Sequence, residues 1–251
     1  MAKEKPIIIC TDLIPATLDG RKTVTRRVIK DMPEKWHRGY TSFENNPNGN
    51  EEFIIYGDCG TKTMYARYKV GDLLWVREAF GIVSKNHPFI KQILPMFEYT
   101  HYSKTKPDCI QNGYELLYKA TQEIDPDFPI RWRSSRFMPK WAARIWLEVL
   151  DVRAERLQEI TEEDAKAEGI QLYEYGTEYD KEYGGREKNM SYSVGYGMER
   201  LALSVMPNKA SGGFRRLWDS LNAKRGYGWD VNPWVWRYEF KVKQGSDNGR
   251  K

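Results

Sequence analysis

The chain carries, directly after its first apolar segment, the stretch Asp19-Gly20-Arg21-Lys22-Thr23-Val24-Thr25-Arg26-Arg27. Asp19-Gly20 is a turn signal, and residues three apart on a helix or tight turn share a face. Lys22 and Thr25 can therefore lie side by side. A lysine beside a hydroxyl can act as the base for a nucleophile. A solvated basic turn is the alternative interpretation of the same residues.

The segments on either side of this stretch predict the start of a sheet. Ile7-Ile8-Ile9-Cys10 is short and β-branched, which predicts a buried strand. Thr11-Asp12 predicts the N-cap of a two-turn helix that ends at Gly20. Farther along, Gly71-Asp72 predicts a turn, followed by a strand whose apolar Leu74 and Val76 alternate with Trp75 and Arg77.

A second basic segment spans residues 131–144, where five cations alternate with two Trp and one Phe. This composition is typical of a nucleic-acid-facing segment, since guanidinium groups bind phosphate and rings stack on bases. A connector held together by cation–π contacts is an equal alternative. The segment precedes a clear predicted strand over residues 145–152.

A short helix is predicted over residues 161–170. Thr161 followed by Asp164 resembles a capping box, and Gly169 has the place of a C′ glycine. Glu168 then lies at the C-terminal end, where the helix dipole disfavours a carboxylate and so suits a general acid. An ordinary exposed glutamate would occupy the same place.

The rest of the chain predicts one β-rich core with polar insertions. Leu116 to Ala120 predicts a further strand, and Phe214 to Leu221 predicts an amphipathic helix. The last strand is expected to close a small sheet, with Trp234, Trp236, Tyr238, Phe240 and Val242 on one face opposite Arg237, Glu239 and Lys241. The predicted insertions are 29–65 with a hairpin at 52–56, 81–113, and 171–212 with a short helix near 198–205; residues 244–251 are a predicted disordered tail.

Composition limits the class of protein. The chain has 251 residues, a net charge of +5 and 40% hydrophobic residues, which is enough for a packed core. Cys10, Cys59 and Cys109 have no CxxC spacing, and the three histidines show no ligand pattern. We therefore expect reduced thiols, a cytoplasmic protein and no metal site. The expected oligomeric state is a monomer. No apolar run approaches ~20 residues, so no membrane span is expected.

The opening stretch resembles the signature of the ASCH domain, usually written GxKxxExR, with Gly20, Lys22 and Arg27 matching and Thr25 in place of the glutamate. Four other segments agree in order, at 71–76, 137–142, 157–170 and 234–240. The resemblance is to a long, insertion-bearing type common in bacteriophages and prophages. It implies an α+β fold, a small PUA-like mixed β-barrel with flanking short helices and three polar insertions. The expected single domain is 1–243, with its core at about 5–28, 66–80, 114–170 and 213–243.

The Thr-for-Glu variant resembles a branch of ASCH proteins that are N4-acetylcytidine amidohydrolases. Carried over by position, the resemblance implies Lys22 as general base, Thr25 as nucleophile and Glu168 as proton donor. It implies no metal and no organic cofactor. The expected substrate is a modified nucleoside or RNA.

Two other functions fit the same family. PUA-like barrels commonly bind RNA or modified bases without catalysis, with cations on phosphate and a Trp stacked on a base. Metal-dependent RNA cleavage ranks lowest, because no group of residues uniquely supports it. The candidate contact residues are Arg21, Arg26, Arg27, Trp75, Arg77, Lys140, Trp141, Arg144 and Trp234.

Overall fold

The computed structural model describes residues 3–30, 42–45, 52–57, 60–84, 114–121, 132–175, 189–193 and 209–243. The chain forms two compact units. Unit 1 contains residues 1–19, 71–148 and 241–251, and unit 2 contains residues 20–70 and 149–240. The single domain over 1–243 stays a prediction.

Strands dominate the described residues. The strands are β1 (Glu4–Ile8), β2 (Val24–Val28), β3 (Ser42–Asn45), β4 (Glu52–Gly57), β5 (Gly60–Tyr65), β6 (Leu73–Arg77), β7 (Phe80–Ser84), β8 (Tyr114–Tyr118), β9 (Trp146–Arg156), β10 (Gln171–Tyr175), β11 (Asn189–Ser193) and β12 (Trp234–Lys243). The α-helices are α1 (Ile14–Leu18), α2 (Glu162–Ala167) and α3 (Ala210–Asn222). Short 3-10 turns lie at Thr11–Leu13, Ser135–Phe137, Lys140–Ala142, Leu157–Glu159, Ala223–Arg225 and Trp229–Val231.

Hydrogen bonds join five strands in the order β1-β6-β9-β12-β2. β1 and β6 are parallel, whereas the pairs β6–β9 and β12–β2 are antiparallel. Three smaller antiparallel sheets contain β3-β4-β5, β7-β8 and β10-β11. The fold is therefore α+β with a mixed main sheet, and the described strands do not close into a barrel.

In unit 1, the turn before β6 forms as predicted. Gly71 has a φ of +83°, a backbone conformation that glycine adopts without strain. Asp72 is fixed by Lys5, whose Nζ lies 2.5 Å from Asp72 Oδ2. After β6 the chain enters β7, where Phe80 and Ile82 form a small apolar core with Met138 and Ala142.

In unit 2, β12 differs from the predicted closing strand. Its residues from Trp234 to Tyr238 are all buried, and it lies between β9 and β2 in the strand order. The predicted polar face is solvated only toward the C-terminal end of the strand. Arg237 is 6% exposed and pairs with Asp164, whereas Glu239 is partly exposed and Lys241 is exposed. Ion pairing thus buries the first charge of that face.

The predicted helix at 161–170 is confirmed as α2. The Thr161 hydroxyl accepts a hydrogen bond from the Asp164 N–H. Gly169 has a φ of +96°, and the N–H groups of Gly169 and Ile170 donate to Lys166 and Ala165. These two bonds are those of a Schellman C-terminus, which makes Glu168 the C-cap residue.

Several predicted boundaries move. The first helical segment begins as a 3-10 turn and has no side-chain cap. α3 begins four residues before the predicted start, where the Glu162 carboxylate accepts the N–H groups of Ala210 and Ser211. β9 extends four residues beyond its predicted end at 152, and a three-stranded meander replaces the hairpin at 52–56. The predicted helix at 198–205 and the tail at 244–251 lie outside the described residues.

Candidate functional site

Lys22 lies two residues before β2 and is 1% exposed. Its Nζ donates to the Val24 carbonyl at 2.7 Å, to the Glu168 carbonyl at 2.8 Å and to Glu168 Oε2 at 2.6 Å. An ammonium group has three N–H donors and no acceptor. All three donors of Lys22 are therefore occupied, and two of them go to the same residue.

At the C-terminal end of α2, the Glu168 carboxylate binds two cationic side chains. It is 3% exposed, so it is not the ordinary exposed glutamate that the sequence also allowed. Its Oε2 accepts from Lys22, and its Oε1 accepts from Arg26 Nη1 at 3.3 Å. Because the backbone carbonyl of Glu168 also binds Lys22, the ammonium lies where a helix end favours positive charge.

Thr25 lies in β2, opposite Tyr238 of β12, and is 5% exposed. Lys22 Nζ binds the Val24 carbonyl, which belongs to the peptide group that leads into Thr25. Among the described residues, Lys22 Nζ donates no hydrogen bond to the Thr25 hydroxyl. The structure thus brings Lys22 and Glu168 into contact. Thr25 and Arg26 are consecutive in β2 and so face opposite sides of the strand, and Arg26 is the one that faces Glu168.

Arg26 is placed differently from its prediction as a phosphate-contacting residue. Its side chain is 0% exposed. Its Nε lies 2.6 Å from Glu155 Oε1, its Nη2 lies 2.5 Å from Asp164 Oδ2, and its Nη1 faces Glu168. Each guanidinium nitrogen faces a carboxylate, because α2 and β9 supply acidic residues where β2 turns this side chain inward.

Arg237 extends the network. Its Nη2 lies 3.0 Å from Asp164 Oδ1, and on the paired strands Arg237 stands directly opposite Arg26. Three buried cations therefore meet three carboxylates of low exposure. At the edge of this group, Arg153 pairs with two of the carboxylates, and Arg237 also pairs with Asp151 and Glu239. The group consists of Lys22, Arg26 and Arg237 with Glu155, Asp164 and Glu168.

Sequence reasoning missed the roles of Glu155, Asp164 and Arg237. One signal was available in β2, where Arg26 occupies the strand position between Val24 and Val28. Alternate strand residues face the same side, so a cation between two apolar residues predicts burial. A buried cation requires carboxylate partners.

The pKa values of three residues in the network are displaced. Burial alone would lower the pKa of Arg237, but its hydrogen bonds to Asp164 and Glu239 raise it. Burial lowers the pKa of Lys22, and the positive charges of Arg27 and Arg26 act in the same direction, although Glu168 opposes them. For Asp164, burial alone would raise the pKa. The Arg237 hydrogen bond and the charges of Arg26 and Arg237 outweigh burial, so the pKa of Asp164 lies below its usual value.

The other predicted contact residues of unit 2 lie at different depths. Arg21 is exposed and donates to the side chain of Gln171, and Arg27 is half-buried. Trp234 is 7% exposed, with the Arg156 guanidinium 4.6 Å from its ring centroid. A ring that is so deeply buried offers little surface on which a base could stack.

The predicted contact residues of unit 1 are mostly engaged with their own unit. Trp75 is 7% exposed, and the Arg77 guanidinium lies 4.6 Å from its ring centroid. Lys140 is exposed and forms an ion pair with Glu4. Trp141 packs against the apolar core of the unit.

Arg144, also in unit 1, is held from two sides. Its Nε and Nη2 each lie 2.8 Å from an oxygen of Glu78. Its guanidinium also lies 3.9 Å from the ring centroid of Tyr118. Burial, together with the nearby charge of Glu78, raises the pKa of Tyr118 to about 12 despite the opposing charge of Arg144.

Two features are absent from the described residues. No helix among them is long and apolar enough to cross a membrane. No group of three or more His, Cys, Asp and Glu side chains is arranged there to hold a metal ion.

Comparison of the chain with protein family models, with curated proteins and with solved structures finds no match. The interpretation of the carboxylate-paired site of unit 2 therefore rests on its geometry.

Proposed function

We propose that this protein is an ASCH-type hydrolase with a PUA-like fold that cleaves the amide of N4-acylated cytidine. The observation that carries the proposal is the buried contact of 2.6 Å between Lys22 Nζ and Glu168 Oε2. The family resemblance predicts both residues at one site, and 145 residues lie between them in the chain.

The contact supports acid–base chemistry because one proton separates two states of the pair. In one state Lys22 is an ammonium and Glu168 a carboxylate. Moving the proton from Nζ to Oε2 makes Lys22 a neutral amine and Glu168 a carboxylic acid. Burial lowers the pKa of Lys22, which favours loss of the Nζ proton and so the neutral amine that amide cleavage requires as its base.

The reaction then proceeds through Thr25. In the proposed reaction, Thr25 Oγ1 attacks the acyl carbonyl carbon, and the hydroxyl proton passes to Lys22 Nζ. This transfer requires Lys22 to release the Val24 carbonyl and turn towards Thr25. As the C–N bond breaks, Glu168 gives its proton to the leaving amine, which releases cytidine and leaves an ester on Thr25. Water hydrolyses this ester, so that the carboxylic acid leaves and the Thr25 hydroxyl is restored.

The alternative of a non-catalytic RNA-binding module has less support. Arg26 and Arg144 form ion pairs with carboxylates, and the rings of Trp75 and Trp234 are buried. Contacts to phosphate and bases would require these internal partners to be exchanged. Arg21, which is exposed, supports the alternative more than the other residues do.

The test uses chromatography to measure the release of cytidine from N4-acetylcytidine. We expect Thr25→Ala to reduce kcat/KM at least about 100-fold, because loss of a nucleophile or its base typically costs this much or more. Thr23→Ala is the matched control. Among the described residues Thr23 makes hydrogen bonds through its backbone alone, so this variant should keep the activity.

Two outcomes would contradict the proposal. Folded wild-type protein that releases no cytidine would exclude the hydrolase. Binding of RNA by this inert protein, with an affinity that falls steeply with salt, would then favour the binding module.

A further inference from the structure

We propose that Arg26 is a positioning residue that holds Glu168 Oε1 and so confines proton exchange with Lys22 to Oε2. Glu155 and Asp164 set how strongly Arg26 acts. The inference deepens the proposed function and rests on it for its catalytic meaning. The location of the proton can nevertheless be measured without turnover.

The first step of the argument is that the two oxygens of Glu168 are not equivalent. Oε2 faces Lys22 Nζ at 2.6 Å and Oε1 faces Arg26 Nη1 at 3.3 Å. A lysine can give up its proton, whereas an arginine in a protein does not. Only the Lys22 side can therefore exchange a proton with the carboxylate, and Arg26 fixes which oxygen faces Lys22.

The second step is that Arg26 is shared among three carboxylates. Its contacts with Glu155 at 2.6 Å and Asp164 at 2.5 Å are shorter than its contact with Glu168 at 3.3 Å. Two other carboxylates thus compensate much of its charge. Removing one of them leaves more of the positive charge of Arg26 to act on the Lys22–Glu168 pair.

The third step concerns the charges around the pair. From β2 come Arg26 and the nearby charge of Arg27. The other charged groups of the network lie on β9, α2 and β12: Glu155, Arg153 and Asp151 on β9, Asp164 on α2, and Arg237 and Glu239 on β12. Arg153 contacts both Glu155 and Asp164 at the surface, with its side chain 49% exposed.

These contacts predict two variants of opposite effect. Glu155→Gln removes a negative charge from the network, so Lys22 should lose its proton at a lower pH. Arg153→Gln removes a positive charge from the same carboxylates, so Lys22 should lose its proton at a higher pH. The second shift should be smaller, because solvent and salt screen an exposed charge.

The experiment measures the titration of the Lys22 Nζ signal by NMR, in protein labelled with ¹⁵N at lysine side chains. The Lys22 signal is the one that disappears in Lys22→Arg. We expect the midpoint to fall by about 0.5–1 pH unit in Glu155→Gln. We expect a smaller rise in Arg153→Gln, which changes an exposed residue. Cytidine release measured against pH should shift in the same directions.

The outcomes separate this inference from the proposed function. Opposite shifts of the Lys22 midpoint support the inference even if the protein releases no cytidine, which would contradict only the hydrolase. A Lys22 midpoint that is identical in wild type and both variants would overturn the inference, whether or not the protein releases cytidine.

Discussion

Two basic regions of this chain look alike in sequence and differ in structure. The stretch at 19–27 supplies Lys22 and Arg26, whose side chains are at most 1% exposed and bind carboxylates from distant segments. The segment at 131–144 supplies Lys140 and Arg144, which remain 49% and 26% exposed. The difference lies in the partners, since the first region meets three carboxylates within unit 2 and each cation of the second meets one within unit 1.

The physical reason is the cost of removing charge from water. An isolated buried charge is strongly unfavourable, and it is tolerated when it is paired and hydrogen-bonded. Cations that meet several carboxylates can therefore become part of the interior. Cations that meet one exposed carboxylate stay at the surface and contribute little to stability.

The largest expected effect comes from Arg26→Met. This change leaves Glu155, Asp164 and Glu168 facing one another without their shared cation. Breaking a buried ion pair by removing one partner typically costs about 3–5 kcal/mol. Urea denaturation should show a loss of this size in the free energy of unfolding. Arg26→Lys, which keeps the charge but not the three contacts, should lose less.

A loss below about 1 kcal/mol in Arg26→Met would remove the distinction between the two regions, because that is the range of an exposed pair.

An intermediate effect is expected from Arg144→Met, which tests whether the second region also contains a buried pair. Glu78 is 0% exposed in its side chain and depends on both bonds from Arg144. We expect a loss of about 2–3 kcal/mol, because a buried charged acceptor is left unsatisfied while Arg144 itself is partly solvated.

The double variant Arg144→Met/Glu78→Gln provides the control for this effect. It should be more stable than the sum of the single changes predicts, since the unpaired charge is then absent. Strict additivity of the two losses would show that the pair does not act as a unit.

The smallest effect is expected from Lys140→Met. Its partner Glu4 is 45% exposed, so the pair lies in water. The free energy of unfolding should change by less than about 1 kcal/mol. In 1 M NaCl this small difference should disappear because salt screens exposed charges. The loss caused by Arg26→Met should persist, and its disappearance in salt would contradict the burial argument.

Elements defined by local signals were predictable. Thr161 and Gly169 bracket α2 as their sequence positions indicate, because caps and left-handed glycines depend on neighbouring residues. Gly71 fixes the turn before β6 in the same way. The start of α3 was not predictable, since it depends on a carboxylate 48 residues earlier in the chain.

The candidate site was predictable only in part. The family resemblance placed Lys22 and Glu168 together, and they are in contact. It also assigned Arg26 to a phosphate, whereas this residue binds Glu155 and Asp164. Residue type shows that a cation is present, but partners on other strands and helices determine whether that cation is free to bind a ligand.

By itself, the sequence determined the local elements and the order of cations along β2, because turns, caps and alternation act over a few residues. Tertiary structure decided which of those cations are buried. It brought β9, α2 and β12 against β2, so that Glu155, Asp164, Glu168 and Arg237 surround Lys22 and Arg26. Charge pairing is a property of distance in space, and these distances exist only in the folded chain.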